Sequence, residues 1–389
     1  MNRYSRFRGS LMVAGLAALV GVSVGACSSS PTTAIATSTT SSSAVARTST
    51  PQSATSTATP PSTSSDSSTP PTTSTTSALS SSTTAAAPPS STSTAAGSST
   101  VSGSRRVIPP GGGSKLGLRP LVVPVKIVHH KSSVQVLVQL KIHSKPFYFL
   151  VDTGASVTLI DSTVAKSLGL AAIGAPGKAT SIGCSAPIQP VALADWSVGS
   201  QALPDSLIPS QRTELAGKKI GGIPVAGLLG ADLYYLYGTM TVDFKNATMT
   251  LGHPAPTGGQ SFPIAAHLTA GGVSVIADVS VHGNRGGFLI DTGAAVTDLD
   301  SKLANSSALK KVGATTKIGA VSCTTSVQPV VFDNARISTV KLPTVTAASS
   351  ANALTARSNG KIQGLIGADI LSTFGSVTFD FKNQRVILG

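Results

Sequence analysis

The sequence predicts an all-β chain with short helices, folded as two copies of one lobe, and three observations carry this expectation. VQVLVQLKI, Val134 to Ile142, alternates apolar and polar residues with the two-residue period of a half-buried strand. The stretch VQVLVQLKIHSKPFYFLVDTGA from Val134 recurs as VSVIADVSVHGNRGGFLIDTGA from Val273, without a gap, at an offset of 139 (273 minus 134). GLLGADLYYLYGTMTVDFKNATMTLG, ending at Gly252, recurs as GLIGADILSTFGSVTFDFKNQRVILG, ending at Gly389, after a net deletion of two. Repetition on this scale marks two copies of one structural unit, with the joint near His253 to Gln260.

Within each copy the elements follow in order. Val134 to Ile142 is a strand, His-Ser-Lys a turn, and Phe147 to Val151 an apolar strand of the buried kind; Val273 to Val281 and Gly287 to Ile290 repeat this. Asp152-Thr153-Gly154 and Asp291-Thr292-Gly293 then fall at strand ends, where glycine permits a tight turn. Asp161-Ser162 and Asp300-Ser301 have the form of helix N-caps. Gly227-Leu-Leu-Gly and Gly364-Leu-Ile-Gly give a second apolar strand and close turn, after which Asp232 and Asp369 begin or cap a short helix. Two final strands joined by a Lys-Asn turn end each copy, so Asp243 and Asp380 are expected at the surface or in turns.

The N-terminus has a different character. Arg3, Arg6 and Arg8 precede an uncharged apolar run from Leu11 to Val24, the pattern of an export signal and too short for a spanning helix. Val24-Gly25-Ala26-Cys27 resembles a bacterial lipobox, which implies a signal at residues 1–27 and lipid on Cys27; an ordinary cleaved signal with an incidental cysteine is the alternative. Acyl chains contribute about 0.8 kcal/mol per buried methylene, enough in sum to hold a protein at the outer face of the cell membrane. Residues 28–117 are expected to form a disordered stalk of Ser, Thr, Ala and Pro, because this composition cannot bury a core. The lobes are then assigned to residues 118–252 and 253–389.

A formal net charge of +14 raises the question of nucleic acid, but the lysines are scattered, with no basic-aromatic interleaving and no helical basic stripe, so no nucleic-acid partner is expected. The six histidines form no His-x-x-x-His pair and Glu214 is the sole glutamate, which leaves little for a metal site or a glutamate-based glycosidase. No Gly-x-Ser-x-Gly elbow supports a serine hydrolase. Cys184 has a repeat partner in Cys323, which points to a shared structural position rather than to a lone nucleophile.

One strand-end Asp-Thr-Gly would be read as a local cap. Two copies, each followed some 75 residues later by an apolar-apolar-Gly strand and a helix, resemble the retropepsin-like aspartic proteases over nearly all of Val134 to Gly389. The resemblance implies a bilobal pseudo-two-fold acid-protease fold made of two retropepsin-like repeats. It also implies an endopeptidase in which Asp152 and Asp291 form a dyad, one carboxylate from each lobe. Two carboxylates about 3 Å apart cannot both ionise, so they share a proton, activate a water and hydrogen-bond the scissile carbonyl; the reaction needs no metal and no cofactor. Thr153 and Thr292 would cross-link the two loops, and Gly154 and Gly293 would let backbone amides approach the carboxylates. Ala155 and Ala294 follow the glycines and no Tyr lies between Asp152 and Gln189, departures from the pepsin type that point to the smaller retropepsin design fused in tandem.

The resemblance also places the stretch around Cys184 and Cys323 in flap hairpins over the substrate, and implies a disulfide between these equivalent positions; two separate buried thiols are the alternative. With both lobes in one chain a monomer is expected, acting on a peptide or protein. An idle lobe pair kept as a binding or structural lipoprotein is the competing functional class.

Overall fold

The computed structural model describes residues 79–80, 109–181, 185–213, 219–269, 271–321, 323–351, 355–356 and 358–389. The signal segment, Cys27, Cys184 and most of the stalk lie outside the described residues; within the stalk Leu79–Ser80, a two-residue strand parallel to Thr316–Ala320, and residues 109–117 are described.

Each lobe is built on the expected antiparallel pair. Ser133–Ile142 runs against Lys145–Val151, and Gly272–Val281 against Asn284–Ile290. Their turns put two successive residues at positive φ: His143 and Ser144 at 49° and 63°, His282 and Gly283 at 48° and 85°. That geometry matches the right-handed twist of the flanking strands and fixes the register, so that alternate apolar residues enter the core. Asp161 and Asp300 cap their short helices, Ser162–Ser167 and Ser301–Ser306, by accepting from the amides of Thr163 and Lys302.

The lobes are joined by a shared sheet. In spatial order it runs Gln260–Pro263, Arg385–Leu388, Ser376–Asp380, Thr239–Asp243, Thr248–Leu251 and Leu121–His130, all antiparallel. Thr241 and Thr378, equivalent positions of the two copies, stand directly opposite each other at its centre, with their hydroxyls 2.8 Å apart. The pseudo-two-fold axis passes between them. One apolar cluster contains buried side chains from both lobes, among them Val138, Tyr234, Val275 and Phe379. Toward the other end of the axis the lobes exchange backbone bonds, Val134 N to Ala295 O and Val273 N to Ser156 O, again at equivalent positions.

Two expectations need correction. The folded part begins before Leu118: the 3-10 helix Gly112–Leu116 has Gly112 and Gly113 buried, and Gly111 N donates to Tyr235 O. Glycines without side chains allow this segment to approach the helix Ala231–Tyr237 closely, so the expected stalk loses its last residues to the first lobe. Asp380 is not a surface residue but fully buried, whereas its counterpart Asp243 is only half-buried. Arg385 Nε donates to Asp380 and its stem covers it, while the first copy has the shorter Thr248 at that place.

Because the sheet and core are shared, the lobes should unfold together. Phe379→Ala in the second copy removes a fully buried ring stacked 6.3 Å from Phe381, at an expected cost of about 3 to 5 kcal/mol. The only tryptophan, Trp196, lies in the first lobe. Its fluorescence in a urea titration should therefore report the full loss; an unmoved Trp196 transition would show lobes that unfold independently.

Candidate active site

The two Asp-Thr-Gly segments are brought face to face by the strands that precede them. Lys145–Val151 lies parallel to Ile223–Leu229, and Asp152 N donates to Leu229 O at 3.0 Å; Asn284–Ile290 lies parallel to Ile362–Ile366, and Asp291 N donates to Ile366 O at 2.9 Å. Each loop is then fixed to the helix beyond. Ala231 N donates to Ala155 O and Ala368 N to Ala294 O, both at 2.8 Å.

Between the lobes the threonines form a closed lattice. Thr153 Oγ1 donates to Ile290 O at 2.6 Å and accepts from Thr292 N at 3.0 Å; Thr292 Oγ1 donates to Val151 O at 2.8 Å and accepts from Thr153 N at 3.1 Å. Each hydroxyl thus donates one bond to the opposite loop and accepts one from it. Gly154 packs against the partner carboxylate so closely that a Cβ there would stand 2.2 Å from Asp291 Cγ.

Asp152 and Asp291 are fully buried and near enough for each to shift the proton affinity of the other. One oxygen of each is held by backbone: Ala155 N donates to Asp152 Oδ1 at 2.8 Å, and Gly293 N and Ala294 N donate to Asp291 Oδ1 at 2.8 and 3.0 Å. The other oxygens, Asp152 Oδ2 and Asp291 Oδ2, receive no donor from the described residues. Burial raises both carboxyls above the ordinary carboxylate range, and the charge of Asp291 raises Asp152 further. The pair therefore holds a proton where an isolated aspartate would have lost it.

A second pair of carboxylates, read from sequence only as helix-starting residues, supports the loops. Asp232 Oδ1 accepts from both the amide and the hydroxyl of Thr158 at 2.9 Å, and Asp369 accepts from the amide of Thr297 at 3.0 Å and its hydroxyl at 2.9 Å. The same hydroxyls accept from Gly230 N and Gly367 N, both at 3.1 Å. These threonines end the Asp-Thr-Gly loops, so Asp232 and Asp369 are positioning residues. The signal in the sequence was recurrence: Thr158 and Thr297 repeat at 139, and Asp232 and Asp369 at 137 (369 minus 232). A further buried carboxyl, Asp298, also escaped the sequence reading, because it has no counterpart in the first copy. Cys323 sits at the end of the hairpin formed by Thr316–Ala320 and Thr324–Phe332, where Ala320 N donates to its carbonyl. Its sulfur is engaged rather than free.

Burial pushes Asp232 and Asp369 up to about 6 against 3.8 for a free aspartate. The folded chain therefore keeps protons that the unfolded chain releases. Stability should be greatest below about pH 4 and decline as pH rises through about 6. Urea midpoints at pH 4 and pH 7 measure this, and Asp232→Asn should reduce the difference; a midpoint that rises with pH would contradict the assignment.

The sequence profile of the aspartyl protease family matches residues 138–233 and 277–370, one segment in each lobe. No curated protein matches the chain. Among solved structures the chain is similar to basic 7S globulin from soybean, with 13% identity over 70% of this chain and 95% of that one and a TM-score of 0.35. It is also similar to the protein edgp, at 12% identity over 72% and 94% with a TM-score of 0.36. The aspartic proteinase from Irpex lacteus is similar at 15% identity over 70% and 97% with a TM-score of 0.39. The two matched segments, each containing an Asp-Thr-Gly loop and its partner strand, identify the lobes as two tandem members of the aspartyl protease family, joined in one chain.

Proposed function

We propose that the chain is an aspartic endopeptidase that hydrolyses peptide bonds with Asp152 and Asp291 as a single acid–base pair. The observation that supports it is the dyad geometry: two buried carboxyls from facing loops, with Gly154 beside Asp152 packed against the Asp291 carboxyl, each with one oxygen held by backbone and the other without a donor among the described residues. Asp291 accepts two backbone amides through Oδ1 and Asp152 one, so the negative charge is better supported on Asp291 and the shared proton rests on Asp152.

In this reading the ionised carboxylate takes a proton from a water lying between the two groups. The water oxygen bonds to the scissile carbonyl carbon, while the protonated carboxyl hydrogen-bonds the carbonyl oxygen. Collapse of the tetrahedral adduct breaks the carbon–nitrogen bond, a proton passes to the leaving nitrogen, and the dyad returns to its one-proton state. A single copy of the chain supplies both carboxyls. Lipid on Cys27 and the Ser/Thr/Ala/Pro-rich stretch would hold the lobes at the outer face of a bacterial cell membrane, where the substrate is an extended peptide or protein segment. Cys323 is paired, in the same proposal, with Cys184 of the opposite flap.

With the full-length chain and a peptide mixture, cleavage blocked by a statine-type inhibitor is expected. Asp152→Asn and Asp291→Asn should each lower kcat by about a thousandfold or more, with Trp196 fluorescence and melting preserved. Substantial activity in either variant overturns the dyad. The rate should peak in mildly acidic solution, about pH 4 to 6, because both carboxyls are raised by burial and no hydroxyl follows the glycines; an optimum near pH 2 contradicts this. Thiol titration of the unfolded, unreduced chain should find neither Cys184 nor Cys323 free, and two free flap thiols would remove the disulfide.

A further inference from the structure

The two lobes differ in charge at one place near the dyad. Leu159 and Asp298 are equivalent positions of the two copies, at an offset of 139 (298 minus 159). Leu159 stands opposite Leu228 in antiparallel register, and Asp298 stands opposite Leu365. Residues opposite each other on an antiparallel pair share a face, and their chain neighbours point the other way. Accordingly Ile160, Leu229, Leu299 and Ile366 enter the main core.

The remaining face in the first lobe collects Leu150, Ala155, Leu159 and Leu228 in one apolar cluster together with Val321, which belongs to the second lobe and follows the hairpin strand Thr316–Ala320. Ala155 is the residue whose amide holds Asp152. A cluster that joins the active-site loop of one lobe to the hairpin of the other lies in the space between the lobes, beside the dyad. In the second lobe Leu289, Ala294 and Leu365 repeat that floor, and Ala294 N holds Asp291. There the place of Leu159 is taken by a carboxyl.

Asp298 is 0% exposed. Its side chain accepts from Ser350 Oγ, at 3.1 Å to Oδ2 and 3.3 Å to Oδ1. No Lys, Arg or His pairs with it among the described residues. The strands on either side, Val345–Ser350 and Ile362–Ile366, bear no titratable side chain, and on its own strand the nearest charge is another carboxyl, Asp300. A carboxyl set on an apolar floor with one hydroxyl donor is costly to ionise and has unused acceptor capacity. A core position built for stability alone would carry the leucine of the first copy.

We propose that Asp298 selects a lysine or arginine side chain on the part of the peptide bound by the second lobe, while Leu159 takes an aliphatic side chain in the matching place of the first lobe. The scissile bond then lies between unlike residues, and the twofold-related cleft reads its substrate in one direction. This inference rests on the endopeptidase reading for its ligand, an extended peptide. Burial pushes the Asp298 carboxyl up to about 8, with Asp300 adding to the push. An arriving ammonium or guanidinium removes that penalty by forming an ion pair, and the displaced proton leaves to solvent.

The test uses the full-length chain at pH 7 with a random peptide mixture whose cleavage sites are read by mass spectrometry. Lys or Arg should be enriched at one fixed position on one side of the cut and aliphatic residues at the matching position on the other. For a peptide pair differing only in Lys or norleucine at that position, the ratio of kcat/KM should fall by about tenfold or more in Asp298→Leu and in the near-isosteric Asp298→Asn. Asp298→Asn keeps the shape and the Ser350 contact, so a loss there reports charge rather than packing. The same two peptides are also bound to the uncleaving Asp152→Asn chain, with and without Asp298→Asn. Absence of a basic preference, or a preference unchanged in both Asp298 variants, overturns the inference. Peptides bound with an Asp298-dependent basic preference but never cut would uphold it and overturn the endopeptidase reading instead.

Discussion

The four hydrogen bonds that Thr153 and Thr292 make across the lobe boundary, two with each other and two to Ile290 O and Val151 O, are the interaction on which the site depends, and symmetry explains why they involve these two residues. Two copies related by a rotation can bring equivalent residues into contact only near the axis. In this chain that happens at Thr153 with Thr292 beside the carboxyls, and at Thr241 with Thr378 in the shared sheet. The two contacts define the axis at two points and fix the lobes against rotation. A hydrogen bond of this kind contributes only about 1 kcal/mol net, but a buried amide or carbonyl left without its partner costs about 1 to 3 kcal/mol. The lattice is therefore held less by what its bonds gain than by what their absence would cost.

That rigidity permits an arrangement that is unfavourable in itself. Two carboxyls packed together away from water repel when ionised and lose solvation, and both effects raise their proton affinity. The fold offsets the cost locally, through the backbone amides of Ala155, Gly293 and Ala294 and the parallel strands that grip Asp152 and Asp291 from behind. Thr158 with Asp232 and Thr297 with Asp369 add a second layer, closing each loop onto the helix that follows. Because those supporting carboxyls are themselves buried, the site depends on protonation at more than one level.

Duplication accounts for the pairing of the groups, and divergence for their differences. Arg385 in place of Thr248 encloses Asp380, which its counterpart Asp243 lacks. Asp298 in place of Leu159 alters the floor beside Asp291. Such changes are tolerated because each copy keeps its own hairpin register and its own grip on the active-site loop, so a side chain off the axis can change without displacing those on it.

The repeat, the strand periodicity and the strand-end Asp-Thr-Gly made the lobes, their order and the residues at the axis legible in the sequence alone, since each is a local pattern or a recurrence of one. The N-caps at Asp161 and Asp300 were legible for the same reason: the capped amides lie two residues away. What only the tertiary structure decided are relations across long separations. The 74 residues between Thr158 and Asp232 hide a hydrogen bond, and the burial of Asp380 follows from a neighbouring strand and its arginine. The close fit of Gly111 to Gly113 against the first lobe reads in sequence as the end of a flexible stretch. Asp298 is the plainest case. In the chain it is one aspartate beside Thr297 and near Asp300, and the neighbours it meets in the fold, Leu365 and Ser350, lie 67 and 52 residues further on (365 and 350 minus 298). Local pattern specifies which way a side chain points; only the packed neighbours specify the dielectric and the charges it meets there.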